Sequence, residues 1–248
     1  LVPALLLIFP DDTQEQLTAV SLAVVLAGAI SGSLAHMRRR LIDFQTGLMF
    51  VLVAAPASFA GAYAVRFVPR HSFDVLFGVF LISMAAFIAL GMSRGGQTLR
   101  EPLRDGRWVV RRRMDRGEEG VSQYAYDARL GLAQSGATGF VAALFGVGGG
   151  IMQVPIMATV LRIPLDIAVA TSQFMLIFMA AAGTSLHALA GTFGEQELAR
   201  AALLGAGAIA GSQAGAYLAR DLSGTTITRL LAAGLIVVGL RLLLTPVL

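Results

Sequence analysis

Residues 130–161 run for 32 positions without a charged side chain, and "FGVGGGIMQVPIM", Phe145 to Met157, stands in their middle. About 20 apolar residues carry a helix across the hydrocarbon core. This stretch is longer than that, and it holds Gly146, Gly148, Gly149 and Gly150, then Pro155. Gly and Pro are the poorest helix formers. Lipid cannot satisfy the backbone groups that a break releases, so such a segment folds only where protein or an internal cavity receives them. The feature therefore demands a bundle of other helices around it.

The rest of the chain supplies that bundle. Six further apolar segments lie near 17–37, 44–65, 73–92, 167–190, 198–219 and 227–244, with an apolar stub at 1–9. Of 248 residues, 56% are hydrophobic and 14% charged, with a mean hydropathy of +0.74. A soluble domain is about 25% charged, so the composition excludes a soluble fold and predicts an all-α polytopic membrane protein. The chain has no cysteine and hence no disulfide. No charged segment or cleavage site precedes an apolar core, so no signal peptide is read.

The net charge is +4 and every basic residue is arginine. Arg38, Arg39 and Arg40 follow the first full span, and nine more arginines fall in 93–129. Two spans separate these groups, so both lie on one side, which the positive-inside rule makes cytoplasmic. Arginines gathered in loops argue against nucleic acid as a partner. On this count the turns near 66–74, 162–166 and 220–224 face outward and the C-terminus is cytoplasmic. Arg66, Arg70, Arg162 and Arg220 then stand outside, four against twelve. Within 93–129, "DGRWVVRRR" alternates enough for a short hairpin, but the segment reads as a tether, with a regulatory domain as the alternative. The expected organisation is a first membrane repeat at 1–92, a cytoplasmic Arg-rich linker at 93–129 and a second membrane repeat at 130–248.

The two membrane parts resemble each other. "AVSLAVVLAGAISGSLAHM" (19–37) aligns with "ATSQFMLIFMAAAGTSLHAL" (170–189), pairing Ser21 with Ser172, Gly32 with Gly183 and His36 with His187 at constant offset. "SFAGAYAVR" (58–66) aligns with "SQAGAYLAR" (212–220), and "LVPALLLIF" (1–9) with "QVPIMATVL" (153–161), Pro3 opposite Pro155. The alignment predicts a further Gly-rich half-helix upstream of Leu1. With that piece restored each half has four spans, and an even number predicts two repeats in parallel orientation.

A Gly-rich break followed by a helix presents several N–H groups at a positive helix end, an anion site inside the membrane. Three adjacent glycines cannot share one helix face, which separates Gly148, Gly149 and Gly150 from ordinary small-residue packing. Packing suits Gly28 with Gly32, and the stripe Gly207, Gly211 and Gly215, which offers contacts within the fold or across a homodimer. Ile151 stands where a dinucleotide fingerprint needs glycine, and no lysine completes a phosphate loop. Polar residues in apolar spans complete the candidate list: Thr171, Ser172, Gln173, Ser21, Gln134, Ser135, His36 and His187. Deep acidic residues, which a cation carrier usually keeps, are absent, so the donors favour an anion. The matched histidines suit protonated anion contact or proton coupling; an interfacial histidine bonded to backbone is the alternative. For Thr171 and Ser172 the alternative is a hydroxyl bonded back to its own helix.

"GATGFVAALFGVGGGIMQVPIM", then "AVATSQ" and "HALAG", resembles the TauE/SafE sulfite exporter family, whose hallmark is a Gly-rich run, a proline soon after and Ala-Thr-Ser about twenty residues on, in each of two halves. The second half carries Gly146, Gly148, Gly149, Gly150, Pro155, Ala170, Thr171 and Ser172; the first shows Pro3 and Ala19-Val20-Ser21, with Val20 in place of Thr. The resemblance covers the chain outside 93–129. It implies a secondary transporter of the bacterial inner membrane that exports sulfite or small organosulfonates, is not an enzyme, and needs no cofactor or metal. Its partners would be a small anion and membrane lipid. The rival readings are a small-anion channel, an intramembrane hydrolase built on Ser135-Gly136 (with Ala133 against it), and a scaffold that transports nothing.

Overall fold

The computed structural model describes residues 12–94, 107–115, 120–218 and 232–241, together with Val2, Leu5, Ile8 and Phe9. The described residues are mostly helical. In chain order they form α1 (Gln14–Arg38), α2 (Phe44–Ala64), a 3-10 turn (Val65–Phe67), α3 (Arg70–Arg94), β1 (Val109–Asp115), β2 (Val121–Asp127), α4 (Ala128–Leu144), α5 (Gly150–Thr159), α6 (Leu165–Leu189) and α7 (Glu195–Leu218). A last short helix, α8, covers Ala232–Arg241. By length and composition, four helices can cross a membrane: Gln14–Arg38, Phe44–Phe67, His71–Ala89 and Leu165–Leu189. Leu52, Phe67, Leu189 and Leu203 stand fully outward, as lipid-facing side chains do.

Local chemistry fixes the helix starts. Thr13 and Gln16 form a reciprocal capping box on α1. Asp43 caps α2 through the Thr46 amide, and Asp127 caps α4 through the Arg129 amide. α2 packs on α4 and α6, and α1 packs on α6 and α7. Small residues set the α2–α4 distance: a Cβ on Gly61 would lie 2.1 Å from the Phe140 carbonyl oxygen.

The directions of the helices follow from their contacts. Glu15 at the start of α1 meets His187 near the end of α6, and Thr192 just past that end. Asp43, just past the end of α1, donates its amide to Thr171 near the start of α6. α1 and α6 are therefore antiparallel. α7 runs with α1: Gln16 bonds Glu197, and Gln213 bonds Ser31. One end of the bundle thus carries Arg38, Arg39 and Arg40; the other carries Glu15, Arg66 and Thr192.

α4 and α5 do not continue one another. Thr138 on α4 and Gln153 on α5 are hydrogen-bonded at 2.5 Å, fifteen residues apart, so the chain enters from the arginine end, turns inside the bundle and returns. Two sequence expectations change as a result. Residues 130–161 make no crossing, so the 162–166 turn joins the arginine end, and Arg162 stands with the other loop arginines instead of against them. The parallel orientation of the two halves, which rested on counting 130–161 as a span, is not confirmed. The helices that the alignment pairs, α1 and α6, run in opposite directions. Pro3, the turn at 220–224 and the C-terminus lie outside the described residues.

The segment read as a tether contains an antiparallel hairpin, with Val109 opposite Asp127 and Asp115 opposite Val121. It is seated on the membrane part. Tyr126 is fully buried and packs edge-on against Phe50 of α2 at 5.6 Å.

Candidate functional site

The break forms because α4 ends in two left-handed residues. Gly146 has φ +61° and Gly148 φ +71°, a region that only glycine enters at low cost. Phe145 closes the last turn of α4 and stacks on Phe77 of α3 at 4.9 Å, which fixes the tip of the re-entrant pair against the third helix. α5 begins at Gly150 with Gly149 as its cap, and the amides of Met152 and Gln153 both bond the Gly149 carbonyl. The preceding amides, of Gly148, Gly149, Gly150 and Ile151, find no acceptor among the described residues. Gly148 and Gly149 are buried. A Cβ on Gly148 would lie 2.8 Å from Val25, and one on Gly149 2.8 Å from the Met179 methyl; Gly150 has ordinary room, 3.6 Å from Leu176. The break therefore serves packing and donor exposure together: α1 and α6 close on it while four amides have no acceptor among the described residues.

Of the sequence-predicted residues, Ser21 reaches the break directly, donating to the Gly146 carbonyl at 2.5 Å. Thr18, one turn earlier on α1, packs against Gly146, and its buried hydroxyl has no partner among the described residues. Ser135 donates to Gly131 on its own helix and accepts from Gln134 and, at 3.4 Å, from Gln153. Thr171 is fully buried and accepts the Asp43 amide at 3.1 Å. Ser172 bonds back to Val169, the alternative weighed above. The Gln173 side chain lies against Gly32. Both stand about one turn from Leu176, which touches the break. The histidines are not brought together. His36 sits in the last turn of α1 and His187 in the last turn of α6, and antiparallel helices send these to opposite ends. The stripe Gly207, Gly211 and Gly215 packs against no described residue.

Each end has an arrangement that the sequence reading missed. At the arginine end Asp43, only 6% exposed, is the hub. It accepts from Tyr124 and Thr46 hydroxyls at 2.5 Å each and from the Thr46 amide at 3.0 Å. Tyr126 meets the Thr46 hydroxyl at 2.9 Å, and Arg112 lies 3.4 Å from the Asp43 carboxylate while also bonding Gln45. Burial, then the hydrogen bond and charge of Asp43, push the Tyr124 phenol well above its ordinary value. Tyr126 is raised too, chiefly by burial. At the other end an open pocket of about 480 Å³ is lined by Thr13, Glu15, Gln16, Arg66, Gly191 and Thr192. Glu15 there accepts from Arg66 and Thr192 at 3.0 Å each.

Among the described residues no group of histidines and carboxylates could hold a metal ion. The model of the sulfite exporter TauE/SafE family matches residues 1–242. A probable membrane transporter protein, YunE of Bacillus subtilis (strain 168), is 30% identical over 237 residues, covering 95% of this chain and 83% of that protein. No solved structure matches.

Proposed function

Because the chain belongs to the TauE/SafE sulfite exporter family, a family of membrane transporters and not of enzymes, we propose that it exports sulfite or a small organosulfonate across the bacterial inner membrane, with the anion held at the α4–α5 break. One observation carries this reading: four consecutive amides, at the start of a half-helix inside an apolar bundle, have no acceptor among the described residues. A helix start carries about half a positive charge, and buried unpaired donors are rare unless something binds them. The Thr18 hydroxyl beside Gly146 adds a donor to that position, while the Ser21 hydroxyl, already donated to the Gly146 carbonyl, fixes the break against α1. Thr171, Ser172 and Gln173 lie between it and the arginine end, on the path from that side; Ser135 and Gln153 line the re-entrant pair itself. His36 stands at the arginine end of that path.

The arginine end is cytoplasmic in this reading, and the re-entrant turn strengthens the assignment by moving Arg162 to the same side. In this reading the hairpin docked at the arginine end and the pocket at the Glu15 end are the two sides that alternate, with helices moving about the break. Expelling one negative charge gains about 2.3 kcal/mol per 100 mV of inside-negative potential, enough to drive export.

The test is flux from proteoliposomes loaded with sulfite, taurine, sulfoacetate or sulfate under an imposed potential. Saturable efflux of sulfite or a sulfonate is the expected result. Efflux that does not saturate would make the protein a channel, and folded protein that passes none of the four would overturn the cargo assignment.

A further inference from the structure

His187 is fully buried, and among the described residues neither ring nitrogen has a hydrogen-bond partner. Buried polar groups almost always have one, and a histidine kept for packing would normally bond at least one nitrogen. Its Nδ1 lies 3.7 Å from Glu15 Oε1, slightly too far for a bond. That same oxygen faces the open pocket and already takes Arg66 and Thr192. The charged groups around the imidazole are Glu15 from α1 and Arg66 from the 3-10 turn. From α7, Glu197 is held by Gln16 and by the Gly194 amide, and Arg200 pairs with Asp12. An unpartnered buried base, a carboxylate within one small displacement of it and a water-accessible pocket on the far side of that carboxylate make a place where a proton can be taken up and returned.

We propose that Glu15 and His187 form a proton-binding pair served from the pocket, and that its occupancy is coupled to anion movement. The coupling rests on the exporter reading. The step is a simple transfer: a proton from pocket water adds to a Glu15 carboxylate oxygen and passes to the free lone pair of His187 Nδ1, leaving imidazolium against carboxylate. Return to the pocket restores both groups. Only O–H and N–H bonds change. The proton would draw Nδ1 and Glu15 into a hydrogen bond between α6 and α1. These are the two helices whose Met179 and Val25 close on the break. Protonation at one end would thereby reach the anion position.

The experiment uses the full chain in two measurements. The protein holds three histidines, so side-chain 15N spectra from about pH 5 to 9, with H187Q for assignment, follow His187 directly. It should titrate, with its midpoint displaced by about one pH unit or more in E15Q, since an opposite charge at this range shifts a midpoint by 1–3 units. Sulfoacetate efflux from proteoliposomes should vary several-fold with pH on the pocket side, and E15Q and H187Q should each flatten that dependence. A His187 signal that stays fixed over the range overturns the proposal. So do variants that slow efflux equally at every pH and keep the wild-type slope. If neither sulfoacetate nor sulfite moves while His187 titrates and E15Q displaces it, the proton pair stands and the exporter reading falls.

Discussion

The two ends of the bundle are built from similar residue types and do opposite things. Each centres on one carboxylate that meets an arginine and a threonine. At the arginine end Asp43 is buried under the hairpin and every nearby hydroxyl is spoken for. At the other end Glu15 is about a quarter exposed, its arginine is equally open, and the histidine behind it has no hydrogen-bond partner among the described residues. Buried charges and hydroxyls are costly to uncover, so the first cluster holds an element in place. A solvated ion pair contributes little to stability, which leaves the second cluster free to change its protonation or bind. One carboxylate seals and the other responds.

The largest expected effect comes from breaking the seal. Asp43→Ala removes the α2 cap, strips the carboxylate from buried Tyr124 and takes one of its partners from half-buried Arg112, and should destabilise by about 3 kcal/mol, the lower part of the range for a broken buried pair. A fall in melting temperature in detergent checks this. Trp108 is the only tryptophan and lies under Arg129 at 4.4 Å beside the hairpin. Its fluorescence should show the hairpin loosening before the helices melt. The same seal has a defined pH window. Tyr124 has a folded-state pKa above its unfolded value, so its contribution is complete below about pH 10, the unfolded phenol value, and is lost as pH rises beyond it. Alkaline destabilisation should be smaller in Tyr124→Phe than in the wild type. An equal loss in both would show that Tyr124 does not set the window.

A smaller effect is expected at the break that lies between the ends. Gly148→Ala forces a side chain into a left-handed position and against Val25, and should cost about 2 kcal/mol from the backbone conformation alone. Gly150→Ala, in helical conformation with ordinary room, should stay within about 0.5 kcal/mol. Comparable losses at both positions would mean that Gly148 is not held left-handed. Thr171→Val comes next, at about 1 kcal/mol, because it leaves the Asp43 amide unpaired. Ser172→Ala, bonded only to its own helix, should barely change stability. The double variant should still fold and bind anion more weakly; unchanged affinity would remove both residues from the anion path.

What the sequence disclosed and what it concealed divides along a physical line. The apolar segments and the glycine break were legible, since bilayer thickness and helix propensity act on the chain locally. Whether 130–161 crosses or turns back was not: thirty-two uncharged residues suit either course, and only the contact of Thr138 with Gln153 decides. The span count, the orientation of the halves and the pairing of His36 with His187 all hung on that one choice. The hairpin was legible as alternation in "DGRWVVRRR" but its docking was not, because Asp43, Thr46, Tyr124 and Tyr126 are brought together from separate segments. Glu15 was passed over for a similar reason. It reads as a first-turn acid on a capped helix, and its importance lies in the buried histidine that an antiparallel helix brings to it.

The smallest stability effect is the one that most sharpens the contrast between the ends. Arg66→Ala removes the cation of the open cluster, where Arg66 and Glu15 are 30% and 28% exposed. Solvent and salt already screen such a pair, so the loss should be about 0.5 kcal/mol or less, several times below that for Asp43→Ala. Its electrostatic consequence should be larger than its structural one. With the guanidinium gone, Glu15 keeps only Thr192 as a close partner, and its negative charge faces His187 with less opposition. The His187 midpoint should therefore be displaced in Arg66→Ala. Thermal melts and the histidine 15N titration, run on the same sample, separate the two. A melting temperature that falls as far as in Asp43→Ala would show that the Glu15 end is a structural clasp like the other. A nearly unchanged melt with a displaced midpoint would show that one end of the bundle holds and the other titrates.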